Sequence, residues 1–187
     1  MPSAPVSVVV LAGGRSSRFG ADKLAAPLRG TTVLDHLLDA LPTAWPVVVV
    51  GQERATRRPV TWAREDPPGG GPLAAVLAGV AVARADLVAV VAGDMPEAAP
   101  ALERLVAVLT AAGPEVEAAV GVDDEGVPNP LLAAYRRAAV AARAALPTAG
   151  VPARSLLSLV HVEVPVPGRE AHDVDTRADL DSFGPRA

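Results

Sequence analysis

Apolar positions follow two rhythms along this 187-residue chain. Near-continuous β-branched and aliphatic runs at Val6–Leu11, Pro46–Val50 and Leu87–Ala92 predict strands covered on both faces, as in a parallel sheet. Val60–Ala63 and Ala118–Val122 read as shorter strands. Between them the period changes. Val33, Leu34, Leu37, Leu38 and Leu41 recur at helical spacing behind a capping Thr32. Pro72–Arg84 reads as a helix with proline at its first position, and Pro100–Ala112 as another. The order β-α-β-β-α-β-α-β predicts an α/β sandwich on a mostly parallel sheet.

The remainder is less regular. Pro130–Leu146 starts as a strand or a helix and becomes an alanine-rich helix from Arg137. Ala153–Val160 reads as a short helix, His161–Val166 as an alternating strand, and Thr176–Phe183 as a helix capped by Thr176. With no internal repeat and no linker, 1–187 is expected to be one domain, its halves meeting near 112.

Composition narrows the function classes. Half the residues are hydrophobic and 20% are charged, yet no apolar run approaches the roughly 20 residues of a membrane span. Met1-Pro-Ser-Ala-Pro5 lacks a basic leader region. The absence of cysteine excludes disulfides, thiolate zinc and iron–sulfur sites. The expected setting is cytoplasmic, without a membrane partner. A net charge of −4 and 3% aromatics argue against nucleic acid as partner. A small polyphosphate needs only local positive charge and stays compatible.

That local charge follows the first strand. Leu11-Ala-Gly-Gly-Arg-Ser-Ser-Arg-Phe-Gly-Ala-Asp-Lys23 contains the only lysine of the chain, behind Gly13-Gly14 and with Arg15 and Arg18. Paired glycines let backbone amides approach a ligand, and open α/β sheets bind ligands at the carboxyl ends of their strands. Lysine supplies a mobile point charge suited to phosphate. Neither the Walker loop nor the Gly-x-Gly-x-x-Gly dinucleotide spacing is present.

Asp94, in Gly93-Asp-Met-Pro96 behind an apolar strand, emerges at the same sheet edge. Carboxylates that share a metal with substrate phosphates suit Mg²⁺; the same dipeptides also favour turns. Asp66 precedes Pro67-Pro-Gly-Gly-Gly-Pro72, where a helix N-terminus points its amides at the cleft. Asp173 and Asp175 are spaced to share a strand face, either as further metal ligands or as caps of the last helix. Asn129, the only asparagine, either reads a substrate or makes an Asx turn. The three histidines lack metal spacing, and Ser16 and Ser17 lack a histidine partner pattern.

The first loop, together with Glu65-Asp66, Gly71-Pro-Leu-Ala74, Gly93-Asp-Met-Pro96, Asn129-Pro130 and Asp173-Val-Asp-Thr176, resembles the MobA-like nucleotidyltransferases, the molybdenum cofactor guanylyltransferase family. The resemblance implies a three-layer Rossmann-like nucleotidyltransferase sandwich that moves GMP from GTP to molybdopterin with Mg²⁺. It implies a nucleotide-binding half over about 1–112 and an acceptor-binding half over about 113–187. By matching position, Leu11, Ala12, Gly13, Gly14, Gly51, Asp66, Pro72 and Leu73 would line the nucleotide site. Lys23 and Arg18 would meet the triphosphate, Asp94 and secondarily Asp175 the metal, and Asn129 and Arg154 the acceptor.

Molybdenum-insertion proteins or molybdoenzymes are the implied protein partners. The Gly13-Gly14 pair resembles the guanylyltransferase pattern, where cytidylyltransferases usually carry two alanines and a glycine. Phe19 replaces the usual methionine, and Arg177 an often-found proline. The rivals are a cytidylyltransferase, another small-molecule phosphate nucleotidyltransferase, and a non-catalytic GTP-binding protein of cofactor assembly.

Overall fold

The structure, a computed structural model, describes residues 6–13, 19–66, 68–145 and 150–184. The run Val6–Leu11 forms β1 and is buried at every position. Successive side chains point to opposite faces of a strand, so Val8 and Val10 enter one core while Val9 and Leu11 enter the other. β4 (Val47–Val50) and β6 (Leu87–Ala92) flank β1 in parallel, with Leu11 level with Val50 on one side and Ala92 on the other. β5 (Thr61–Ala63) adds outside β4.

Beyond β6 the pattern changes. β8 (Pro128–Arg136) runs antiparallel to both β6 and β7 (Ala118–Val122), and β7 pairs in parallel with β9 (His161–Pro165). The seven-stranded order is β5-β4-β1-β6-β8-β7-β9, and β8 alone opposes the common direction. The expected mostly parallel sheet is present.

Helices cover both faces. α1 (Val33–Ala40) and α3 (Ala99–Ala111) pack on the face of Val8 and Val10. α2 (Pro72–Val82) and α4 (Arg137–Ala141) pack on the face of Val9 and Leu11. Thr32 caps α1 as expected, its hydroxyl accepting from Asp35 N at 3.0 Å. α2 approaches the sheet closely: a Cβ on Gly79 would lie 2.9 Å from the Val50 side chain and nearer still to Val9. No described helix is long and apolar enough to cross a membrane.

The irregular stretches resolve differently from their sequence patterns. A hairpin of β2 (Pro27–Leu28) and β3 (Thr31–Thr32) precedes α1; strands this short leave no periodicity to read. Pro128–Arg136 is strand, and the alanine-rich run after it is helical only to Ala141 before tightening into a 3₁₀ turn at Ala142–Ala145. Ala153–Ser158 is also 3₁₀. Asp173 and Asp175 lie in an extended segment outside the sheet, not in a strand, but the alternation persists around the buried Val174. α5 (Arg177–Ser182) starts on a reciprocal capping box between Thr176 and Asp179.

Candidate active site

The carboxyl ends of four parallel strands are tied together by backbone bonds. Ala12 N donates to Val50 O at 2.8 Å, Gly51 N to Ala63 O at 3.0 Å and Gly93 N to Leu11 O at 2.8 Å. Gly51 has a structural reason to be glycine: its φ is +153°, and a Cβ would sit 2.8 Å from the carbonyl carbon of Ala12. A side chain there would push on the loop that carries Gly13.

This edge opens into a cleft of about 480 Å³ whose walls include Leu11, Gly13, Glu65, Pro72, Asp94 and Leu131. A second hollow of about 240 Å³ adjoins it, with Gly51, Gln52 and Arg64 in its wall. The two share Gly13, Glu65 and Ala75. Gly71, at φ +95°, precedes Pro72 at the start of α2, so the first turn of that helix faces the cleft. Such a turn presents unpaired amides and the positive end of the helix dipole. The cleft combines backbone donors, small residues and one charged corner.

That corner is built around Lys23. Asp22 caps the short 3₁₀ turn Lys23–Ala25 by accepting from Leu24 N at 3.1 Å, and Arg54 pairs with Asp22 at 2.6 Å. With its backbone fixed in this way, Lys23 directs its ammonium to Asp94 and, at 3.0 Å, to Asp175 Oδ1. Asp94 stands in the turn after β6, and its carbonyl accepts from Val174 N at 2.8 Å. That bond and the buried Val174 bring Asp173 and Asp175 across, so that one carboxylate oxygen from each of Asp94, Asp173 and Asp175 lies within 4.8 Å of the others.

Charge and burial act on the group together. Burial pushes the Lys23 pKa down, but hydrogen bonds to Asp94 and Asp175 and their charges outweigh it, leaving the ammonium above its ordinary value. The Asp173 carboxyl is pushed up, first by desolvation and then by the charges of Asp94 and Asp175. Asp94 Oδ1 is buried and has no hydrogen-bond partner among the described residues. A buried carboxylate oxygen left in that condition is costly and fits a site that takes a cation. An all-carboxylate donor set suits a hard divalent ion such as Mg²⁺ or Mn²⁺.

Other expected residues fall in and out of this region. Leu11, Gly13, Gly51 and Pro72 line it, Ala12 lies in the strand-end lattice, and Leu73 is buried beneath α2. Gly14 and Arg18, with Arg15, lie outside the described residues. Asp66 is exposed and absent from both walls, where its neighbour Glu65 stands instead. Glu65 accepts from Gly69 N at 2.9 Å, which ties the glycine-rich turn to the cleft.

Asn129 Oδ1 accepts from Leu131 N at 2.9 Å, the local Asx arrangement, while Leu131 itself reaches the cleft wall. Arg154 is exposed on the 3₁₀ turn packed against α2 and β8. Arg136 and Arg137 spend their guanidinium groups on backbone carbonyls. Arg136 donates to the carbonyls of Val116 and Gly113, closing the end of α3, and Arg137 donates to Ala85 O. Glu65 is the addition, visible in the sequence only as the neighbour of Asp66, whereas Asp173, expected with Asp175 as a further metal ligand or a helix cap, joins the carboxylate group.

The model of the MobA-like NTP transferase domain matches residues 8–164. The chain belongs to this family. Within it, a Bacillus cereus protein named "Probable molybdenum cofactor guanylyltransferase" is 36% identical over 135 residues, 68% of this chain. The match spans 66% of that relative, just under two thirds of its length. Among solved structures, molybdopterin-guanine dinucleotide biosynthesis protein A from Archaeoglobus fulgidus aligns with a TM-score of 0.75 at 24% identity, covering 95% of this chain and 96% of that one. A Mycobacterium tuberculosis protein solved in complex with manganese aligns at 0.65 with 22% identity, over 96% and 97% of the two chains. At these identities the structural likeness establishes the Rossmann-like nucleotidyltransferase fold.

Proposed function

We propose that this MobA-like chain transfers GMP from GTP to the phosphate of molybdopterin, releasing pyrophosphate and forming a guanine dinucleotide cofactor. The observation that carries the reading is the meeting of Lys23 with Asp94 and Asp175 at the mouth of a cleft walled by Leu11, Gly13 and Pro72. The name of the Bacillus relative supports the choice of guanine and of molybdopterin.

In the reaction an acceptor phosphate oxygen bonds to the α-phosphorus of GTP while the bond from that phosphorus to the bridging oxygen of pyrophosphate breaks. The protein contributes no nucleophile; it positions two anions and neutralises them. Lys23 offers its ammonium to the triphosphate, where it draws charge toward the leaving pyrophosphate, with Arg18 as its assistant. Asp94, Asp173 and Asp175 would hold Mg²⁺, which supplies neutralisation of phosphate charge when bound. The backbone of Leu11, Ala12 and Gly13, the bare Gly51 and the carboxylate of Glu65 surround the nucleoside, and the amides at the start of α2 face its phosphates. Asn129 and Arg154 mark the acceptor side, along and beside β8.

Calorimetric titration with GTP, CTP, ATP and UTP, in Mg²⁺ and then in chelator, tests this directly. Binding that prefers GTP and weakens in chelator is expected, followed by pyrophosphate release on adding molybdopterin. A preference for CTP would transfer the reading to cytidylyl transfer. GTP binding without pyrophosphate release in the presence of molybdopterin would reduce the protein to a nucleotide-binding role.

A further inference from the structure

Lys23 occupies oxygens that a metal would also need. Its ammonium is bonded to Asp94 and to Asp175 Oδ1, and those two residues belong to the three-carboxylate group formed with Asp173. A lysine ammonium carries three donors and no acceptor, so each bond it makes here takes a lone pair from the donor set. A divalent ion among these carboxylates would also stand beside a like charge. We propose that Lys23 is a tethered counter-ion that keeps the carboxylates closed to free divalent metal until a nucleotide triphosphate draws it away. This rests on the metal reading given under the proposed function.

The local construction suits such an exchange. The backbone at Lys23 is held by the Asp22 cap and by the pairing of Asp22 with Arg54 at 2.6 Å, while the four-carbon stem beyond it rotates freely enough to change partners. Its side chain is 18% exposed, so the ammonium is largely sheltered from bulk water, next to Asp94 in the cleft wall. Among the described residues Lys23 is the cation bonded to this carboxylate group. A triphosphate offers it denser negative charge than two carboxylates do. Once it moves, Asp94 Oδ2 joins Asp94 Oδ1, which has no partner among the described residues, as an available donor, and Asp175 gives up its bond to the ammonium. Metal and nucleotide then bind with positive coupling that passes through one side chain, and by linkage each strengthens the other equally. The arrangement makes the metal enter with the nucleotide instead of ahead of it.

The test is a titration of the full chain with Mn²⁺ alone, read by the paramagnetic resonance of free Mn²⁺ and repeated with GTP present. Lys23→Met keeps the length of the stem and removes the charge. Without nucleotide it should bind Mn²⁺ roughly ten- to a hundredfold more tightly than the wild type, the scale of one like charge a few ångströms away in a partly screened site. Its thermal midpoint should also rise more on adding Mn²⁺. Lys23→Arg retains the charge and should remain as weak as the wild type.

Equal Mn²⁺ affinity in Lys23→Met and wild type would overturn the proposal. Tightening in both variants would overturn it as well, by tracing the effect to a loosened loop. Failure of the wild type to bind Mn²⁺ even with GTP would strike at the metal reading itself, which separates the two failures. Tightening confined to Lys23→Met, with GTP restoring Mn²⁺ binding to the wild type, supports it.

Discussion

The two sides of the carboxylate corner are built by different means. Asp94 comes from the parallel part of the sheet, where buried strands end at one edge and hydrogen bonds of 2.8–3.0 Å join the residues that follow them, and Lys23 stands beside it on a 3₁₀ turn held by the Asp22 cap. Asp173 and Asp175 come from an extended segment outside the sheet, placed by Val174 N bonding to Asp94 O and by the buried Val174 side chain. The first side inherits its geometry from a lattice of repeated contacts. The second depends on one anchor residue and the α5 cap behind it. Changes on the first side should therefore alter chemistry or break the lattice, whereas changes on the second should shift the position of two carboxylates in a chain that still folds.

The largest effect belongs to Asp94. Asp94→Ala should reduce GMP transfer by roughly 10²–10³, the scale of losing one electrostatic contact to a developing phosphate charge, with the thermal midpoint little changed; normal turnover would remove Asp94 from the site. Gly51→Ala comes next, because it forces an alanine into φ +153° with its Cβ 2.8 Å from Ala12. A cost of roughly 2–4 kcal/mol is expected, read as a lower urea midpoint together with weakened nucleotide binding.

Smaller changes probe the second side. Val174→Ala removes two methyl groups from a fully buried side chain and should cost about 2 kcal/mol. Because that side chain anchors the carboxylate segment, Mn²⁺ affinity in the presence of GTP should fall more than GTP affinity in chelator. Equal losses would mean that the segment is not specifically anchored. Thr176→Ala breaks the capping box of α5 and should cost about 1 kcal/mol, with a weaker echo of the same metal-selective loss.

The same contrast explains what could be read in the sequence. β1, β4 and β6 are runs of valine, leucine and alanine interrupted only by Ser7, so their ends, and hence the neighbourhood of Gly13, Gly51 and Asp94, were visible from hydrophobic pattern alone. The strength of Lys23 as a signal came from its being the sole lysine. Pattern carries no information on how an extended segment docks, and the strand expected at Asp173–Asp175 is absent although the alternation that suggested it is real. Nor does pattern tell a solvated arginine from one spent on carbonyls: Arg136 and Arg137 close a helix end and a loop. Glu65 and Asp66 differ by one position in a turn without period, and only the backbone path decides that Glu65 faces the cleft.

The mildest prediction tests whether β8, the strand that opposes the others, is part of the same rigid body. Tyr135 is the only tyrosine, fully buried on β8, with its hydroxyl donating to Pro130 O at 2.7 Å. Burial raises its pKa well above the ordinary phenol value. A raised pKa means that the folded state holds the proton more tightly, so the contribution is fully present below the unfolded value of about 10 and is lost as pH rises toward the folded value. Tyr135→Phe should cost about 1 kcal/mol at neutral pH through the missing hydrogen bond, and the gap to wild type should shrink as pH climbs past 10. With one tyrosine, tyrosinate absorbance reads the event without overlap: it should appear only as the chain unfolds. Ionisation in the folded protein near the ordinary phenol pKa would mean that β8 opens locally, and that the antiparallel side of the sheet is softer than the parallel side that carries Asp94.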